Sequence, residues 1–254
     1  MGVENRMGHP IDLWQNQEGS FVMWSLFVVI HIWYAWRTGR LSTWALVLGA
    51  ATLSAWQEYF ADWGAYLAWN PEFIRMPWSG DIPFTTPVKP LCIPFAWGWF
   101  FGFAIPMLSL LVDWICRRLP KASRLLVAML TAVPLMWVYD VAVESGAVAK
   151  GWWTYAHTIG PTLYHAKGNF PLLFPPILLG PWAAIMVTLL GRDANGVASW
   201  ERMFHLDDLM PGLSREVARL GWFTLIFTVT FFITNVLPQL VIRGVFGVPS
   251  TLVP

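Results

Sequence analysis

Six mainly apolar stretches constrain this chain more than any other feature, at about 20–36, 41–61, 91–115, 125–146, 172–190 and 220–242. Each comes close to the roughly 20 residues that a helix needs to cross the hydrocarbon layer of a bilayer. The pattern predicts an all-α integral membrane protein, a single polytopic domain of about six transmembrane helices. Composition agrees, with 56% hydrophobic and only 12% charged residues, about half the charged share of a soluble domain. A formal net charge of +1, with no run of Lys or Arg, gives no reason to expect nucleic acid as a partner. The lipid bilayer is the expected partner, and no feature specifies an oligomeric state.

Residues 1–19 are polar and lack the basic-then-apolar order of a cleavable leader, so no removed segment is expected. Cys92 and Cys116 fall 24 residues apart on one predicted helix. That is about 36 Å, too far for a disulfide. Arg37, Arg40, Arg117, Arg118, Lys121, Arg124, Arg192, Arg202, Arg215 and Arg219 follow the first, third and fifth stretches. Arg6, Arg75, Lys89, Lys150, Lys167 and Arg243 fall on the other side. Ten against six predicts a multi-pass cell-membrane protein with both termini outside.

Two pairs of acids interrupt the apolar pattern. Glu58 and Asp62 close the second stretch, and Asp140 and Glu144 lie within the fourth. A spacing of four puts each pair on one helix face. Ionisable groups inside a membrane are expensive, so they mark function by default. Counted from the opposite ends of their helices, Glu58 and Asp140 would lie at one depth, about 23–26 Å along the axis. Four carboxyls at one depth would include protonated and ionised members, and such a pair is an acid/base couple. The competing reading is that these acids only mark helix ends and face water.

Two long connections, 70–90 and 151–171, are too apolar for solvated linkers and too broken by Pro and Gly for helices. They predict two aromatic, Pro-rich caps folded over the outer mouth of the bundle. A weak internal two-fold repeat runs through them. Glu58 and Asp62 recur as Asp140 and Glu144, 82 positions on, and Pro90 and Pro94 recur as Pro171 and Pro175, 81 positions on. Duplicated units that meet at a central site are common in membrane proteins.

Most of the 18 tryptophans are expected in interfacial belts. Those near the acids predict instead a pocket whose ring faces hold an apolar small molecule and stabilise a cation. The expected binding residues are Trp56, Tyr59, Trp63, Trp69, Asn70, Trp78, Tyr139, Trp153 and Tyr155, with Asn235 and Gln239 beside Pro238. Asn235 and Gln239 would otherwise join helices to each other. A metal was weighed, because His157 and His165 follow Glu144 in sequence. The clustered His pairs of a membrane di-iron site are missing, and few cations stand by for a diphosphate held through Mg²⁺. No metal and no cofactor is therefore expected.

Taken in order, Trp56-Gln57-Glu58, Tyr66-Leu67-Ala68-Trp69-Asn70, Pro77-Trp78 and Pro87 with Pro90 resemble the first block of the AveC-like spirocyclase family of actinobacterial membrane proteins. Asp140 with Glu144, Gly151-Trp152-Trp153-Thr154-Tyr155 and Gly168-Asn169-Phe170-Pro171-Leu172 resemble its second block. The similarity spans about 56–176 and departs at Glu58, where that family's pattern has Asp. It implies ring closure of a polyketide hydroxyketone to a spiroketal, with loss of water. The residues alone suit a second enzyme class equally, an integral-membrane terpene cyclase or isomerase. A proton-coupled transporter or lipid-binding protein is the non-enzyme alternative. Asp140 and Glu144 are the first catalytic candidates, followed by Glu58 and then Asp62.

Overall fold

The structure, a computed structural model, describes residues 11–80, 82–206 and 208–254. Arg6 and the rest of 1–10 lie outside the described residues. Helix α1 (Ile11–Thr38) is followed by α2 (Thr43–Ser54), which passes through a 3₁₀ turn (Ala55–Gln57) into α3 (Glu58–Gly64). Next come α4 (Ile93–Arg118), α5 (Arg124–Lys150), α6 (Pro176–Leu189) and the short α7 (Ser199–Met203). The last leg is α8 (Leu213–Phe231), a π turn (Phe232–Val236) and α9 (Leu237–Phe246).

Four of these segments are long and apolar enough to cross a membrane: Asn16–Thr38, Ile93–Arg118, Arg124–Lys150 and Leu213–Phe246. The second and fifth expected stretches are not single long helices. The second tightens into its 3₁₀ turn after 12 α-helical residues. The fifth starts only at Pro176 and runs for 14 residues. Proline, which lacks an N–H, is tolerated in the first helical turn, where no intrahelical partner is needed.

α2 is the hub. Leu46, Val47, Ala50 and Ala51 are almost fully buried where α2 packs on α4 and α8. α1 lies at the edge, against α4 and α2, pinned by the Trp24 indole donating to Thr52 Oγ1 at 3.0 Å. Its outward face is apolar, with Val29 and Trp36 65% and 76% exposed, as a lipid-facing helix requires. The core is aromatic. Trp182 meets Phe101 and Phe227 at 4.9 Å each and Phe231 at 5.2 Å, edge to face.

The two ends of the bundle differ. At one end, Arg219 joins α8 to α7 and to the start of α2. Its guanidinium donates to Glu201 (2.6 Å), to Glu216 and to the Leu41 carbonyl. The other end carries the expected caps. α5 stops at Gly151, which adopts φ 80°, a left-handed conformation that costs glycine little. The chain then runs back as β2 (Trp153–Tyr155), antiparallel to β1 (Leu67–Trp69), with Leu67 opposite Tyr155 and Trp69 opposite Trp153. Asn70 N–H to the Trp152 carbonyl and Ala156 N–H to the Tyr66 carbonyl extend this ladder at either end. A hairpin of β3 (Thr162–His165) and β4 (Gly168–Pro171) completes the second cap. The first cap is held from within by Lys89, whose ammonium donates to the Gly80 and Thr86 carbonyls. The two halves of the expected repeat thus take different forms: a broken helix with a cap of turns, and a continuous helix with a cap of strands.

Candidate active site

Glu58, Asp62, Asp140 and Glu144 line one cavity of about 230 Å³. Glu58 and Asp62 sit on one face of the short α3, and Asp140 and Glu144 on one face of α5. The β1–β2 ladder brings the two pairs together. Side chains alternate along a strand, so Leu67 and Trp69 share a face, and their partners Tyr155 and Trp153 share it with them. All four line the cavity.

From that face the strands reach the acids. The Trp69 indole donates to Asp62 Oδ2 at 2.6 Å. Glu144 Oε2 accepts from the Tyr155 hydroxyl at 2.7 Å and from the Trp153 indole at 3.3 Å. Trp69 and Trp153 touch with ring centroids 4.6 Å apart. Burial, with Glu144 and Asp140 nearby, holds the Tyr155 phenol well above its ordinary range, so it stays a proton donor. Trp97 lies beside Glu58. The Asp140 side chain makes no hydrogen bond among the described residues, and none of their ion pairs includes any of the four acids.

The floor is apolar and aromatic, formed by Trp97, Phe101 and Phe231, with Trp97 and Phe231 at 4.7 Å. Asn235, in the π turn, and Gln239, on α9, form one wall, and Gln239 Nε2 donates to Asn235 Oδ1. Gln239 Oε1 is buried without a partner among the described residues. Pro238 has no N–H to give the helical ladder, and π turns of this kind recur at functional sites. Gly64 lets α3 approach this wall, since a Cβ there would stand 2.8 Å from Gln239 Cβ and 2.9 Å from its backbone carbon.

Of the residues expected to bind substrate, Trp69, Tyr139, Trp153, Tyr155, Asn235 and Gln239 line the cavity, and five do not. Trp56 is 44% exposed, since residues two apart on a helix do not share a face and Glu58 occupies the cavity side. Tyr59 is buried behind the site, its hydroxyl on the Pro90 carbonyl and its ring edge-on to Trp78. Trp78 is half exposed on the cap. Trp63 lies under the Arg243 guanidinium, 3.7 Å from ring centre to Cζ, and donates to the Pro254 carbonyl. Asn70 is a structural joint, donating to the Gly151 carbonyl and accepting from the Glu72 amide.

Trp97, one of the indoles the sequence groups with the acids and caps, lines the cavity, and so do Cys92, Trp99, Phe100 and Phe101, which the sequence did not assign to it. A helical projection from Cys92 places Ala96, Trp99 and Phe100 on one side, a signal that finds these but not Phe101, about half a turn away. The imidazoles weighed for a metal lie elsewhere. His157 packs on Tyr66 and His165 meets Ser145. Among the described residues no three His, Cys, Asp or Glu are grouped to hold a metal ion. No protein-family model, no curated protein and no solved structure matches this chain.

Proposed function

We propose that this protein is a membrane-embedded cyclase that closes rings by carboxylic-acid chemistry, in a bundle the chain crosses six times, with α2–α3 and α6 as its two shorter legs. Four acids on one cavity, none of them in an ion pair among the described residues, carry the reading. Charge that the protein does not neutralise must be balanced by protons or by a bound ligand. The sequence resemblance to the AveC-like family directs the choice of substrate toward a polyketide-like ketone bearing two hydroxyl arms.

In this mechanism Asp140, which has no hydrogen-bond partner among the described residues, gives its proton to the ketone oxygen. Glu144, oriented by Tyr155 and Trp153, takes the proton of the first attacking hydroxyl, and a hemiketal forms. A second protonation, at the hemiketal hydroxyl, releases water and leaves an oxocarbenium ion. The second hydroxyl adds to that ion and its proton returns to a carboxylate. One C=O and two O–H groups become two C–O bonds and one water, and the acids are regenerated. Glu58, Asp62 and the faces of Trp97 and Phe101 stabilise the cation as it develops.

The aromatic floor of Trp97, Phe101 and Phe231 also favours a second reading, a terpene cyclase or isomerase that guards a carbocation. Incubating the protein in lipid nanodiscs with a dihydroxyketone and with an isoprenoid epoxide, and following ring closure by mass spectrometry and NMR, separates the two. A wild-type protein that cyclises neither, and instead moves either compound unchanged across proteoliposomes, overturns both in favour of transport.

A further inference from the structure

Tyr139 and Val143 of α5 line the acid cavity and are 37% and 47% exposed. Spaced four apart, the two lie one above the other along the helix. Behind them stand Trp99 and Phe100 of α4, and Phe100 stacks flat on Tyr139 with centroids 4.7 Å apart and planes at 13°. On the far flank Asn16 and Ser20 of α1 also line the cavity. α1 packs on α4 and α2, and α5 packs on α4 and α6, so α4 forms the back of a cleft flanked by α1 and α5.

The rim of that cleft is apolar. Leu135 and Val138 on α5 and Phe103 on α4 are 45%, 55% and 47% exposed. The cap end of the cavity, in contrast, is roofed by the β1–β2 ladder and its indoles. Trp99, at the threshold, has its indole N–H buried without a partner among the described residues.

We propose that the cavity takes its ligand sideways from the bilayer hydrocarbon through this cleft, with the Phe100–Tyr139 stack as the closing element. The ligand class is an uncharged, lipid-soluble molecule with an oxygen that can accept from Trp99. The inference rests on reading this cavity as a ligand site, and not on the acid chemistry. A stacked pair opens by side-chain rotation, with no need for backbone movement.

Cys92 lines the cavity and serves as the reporter. The protein carrying Cys116→Ser is placed in liposomes and exposed to N-phenylmaleimide or to its para-sulfonated analogue. Labelling of Cys92 is followed by intact mass, each rate divided by its rate on the denatured chain. The uncharged reagent is expected to label at least about tenfold faster, because a charge is excluded from the hydrocarbon. Phe100→Ala, and separately Tyr139→Val, should raise that rate about two- to tenfold, the equilibrium worth of one stacked pair. Neither should change the rate of the sulfonated reagent. The ratio of the two reagents' rates is the readout and does not depend on turnover, so a failure of the acid mechanism leaves this result standing. With labelling run at alkaline pH, because burial pushes the Cys92 thiol up to about 12, equal rates for the two reagents or rates indifferent to both stack variants would each overturn the lateral route.

Discussion

Buried carboxyl groups occur at both ends of this bundle, and the two ends treat them in opposite ways. At one end Glu201 and Glu216 are each paired with Arg219, Arg40 adds a second contact to Glu201, and the Ala198 and Leu41 amides donate to the same two carboxylates. At the cap end Asp62 and Glu144 accept only from neutral indoles and a phenol. Removing one partner of a buried pair strands the other, so the first network should matter to folding. A carboxyl held by neutral donors strands no opposite charge when replaced by its amide, so the second should matter to chemistry. Similar burial therefore has different consequences, decided by the partners.

The contrast breaks most readily at Asp140 and Glu144. Asp140→Asn or Glu144→Gln should lower ring closure on an identified substrate by about 10²–10⁴-fold while leaving the melting temperature of the detergent-solubilised protein in place. Full activity in both variants would remove the acid mechanism. Arg219→Met is the mirror experiment. It should cost about 3–5 kcal/mol of stability, read as a lower midpoint in thermal unfolding, because Glu216 loses its cation and Glu201 keeps only the half-exposed Arg40.

Gly64→Ala tests the seam between α3 and α9. Its added carbon meets the Gln239 backbone at 2.9 Å, which should cost about 1–3 kcal/mol and disturb the wall that Gln239 forms. An unchanged melting curve would show that α3 and α9 shift apart freely.

The smallest expected effect is in pH. Burial opposes ionisation of Glu201, but Arg219, the Ala198 amide and Arg40 outweigh it and hold its carboxyl below the ordinary range. A folded-state value lowered in this way stabilises the fold above the ordinary carboxylate range, near pH 4, and the benefit is lost as pH falls through the folded value. The stability gap between wild type and Arg219→Met should therefore narrow on acidification below about pH 4. A gap that widens there would contradict the pairing.

Much of the fold was legible in the chain. Long apolar runs announced α1, α4, α5 and the α8–α9 leg, because in lipid the backbone must satisfy its own hydrogen bonds. The acids were legible because ionisable residues in such runs are rare and their spacing of four selects one face. The caps were legible as non-helical from their prolines, but their strands were not. β1 and β2 have three residues each and pair across more than eighty positions, too short for any periodic signal. The binding residues divide accordingly. Trp69, Trp153 and Tyr155 reach the site through strand register, whereas Trp56, Tyr59, Trp63, Asn70 and Trp78 are near the acids in sequence but do not line the cavity.

By itself the sequence determined that this chain belongs in a membrane as a helical protein, and that its acids come in two pairs, each confined to one helix face. Those are consequences of local period and of the solvent. Only the tertiary structure decided that the two pairs line one cavity and which tryptophans attend them. It also decided that Phe100 and Tyr139, from different helices, stack at the edge of that cavity. The physical reason is the β1–β2 ladder and the packing around α4, contacts between residues far apart in the chain that no local pattern encodes.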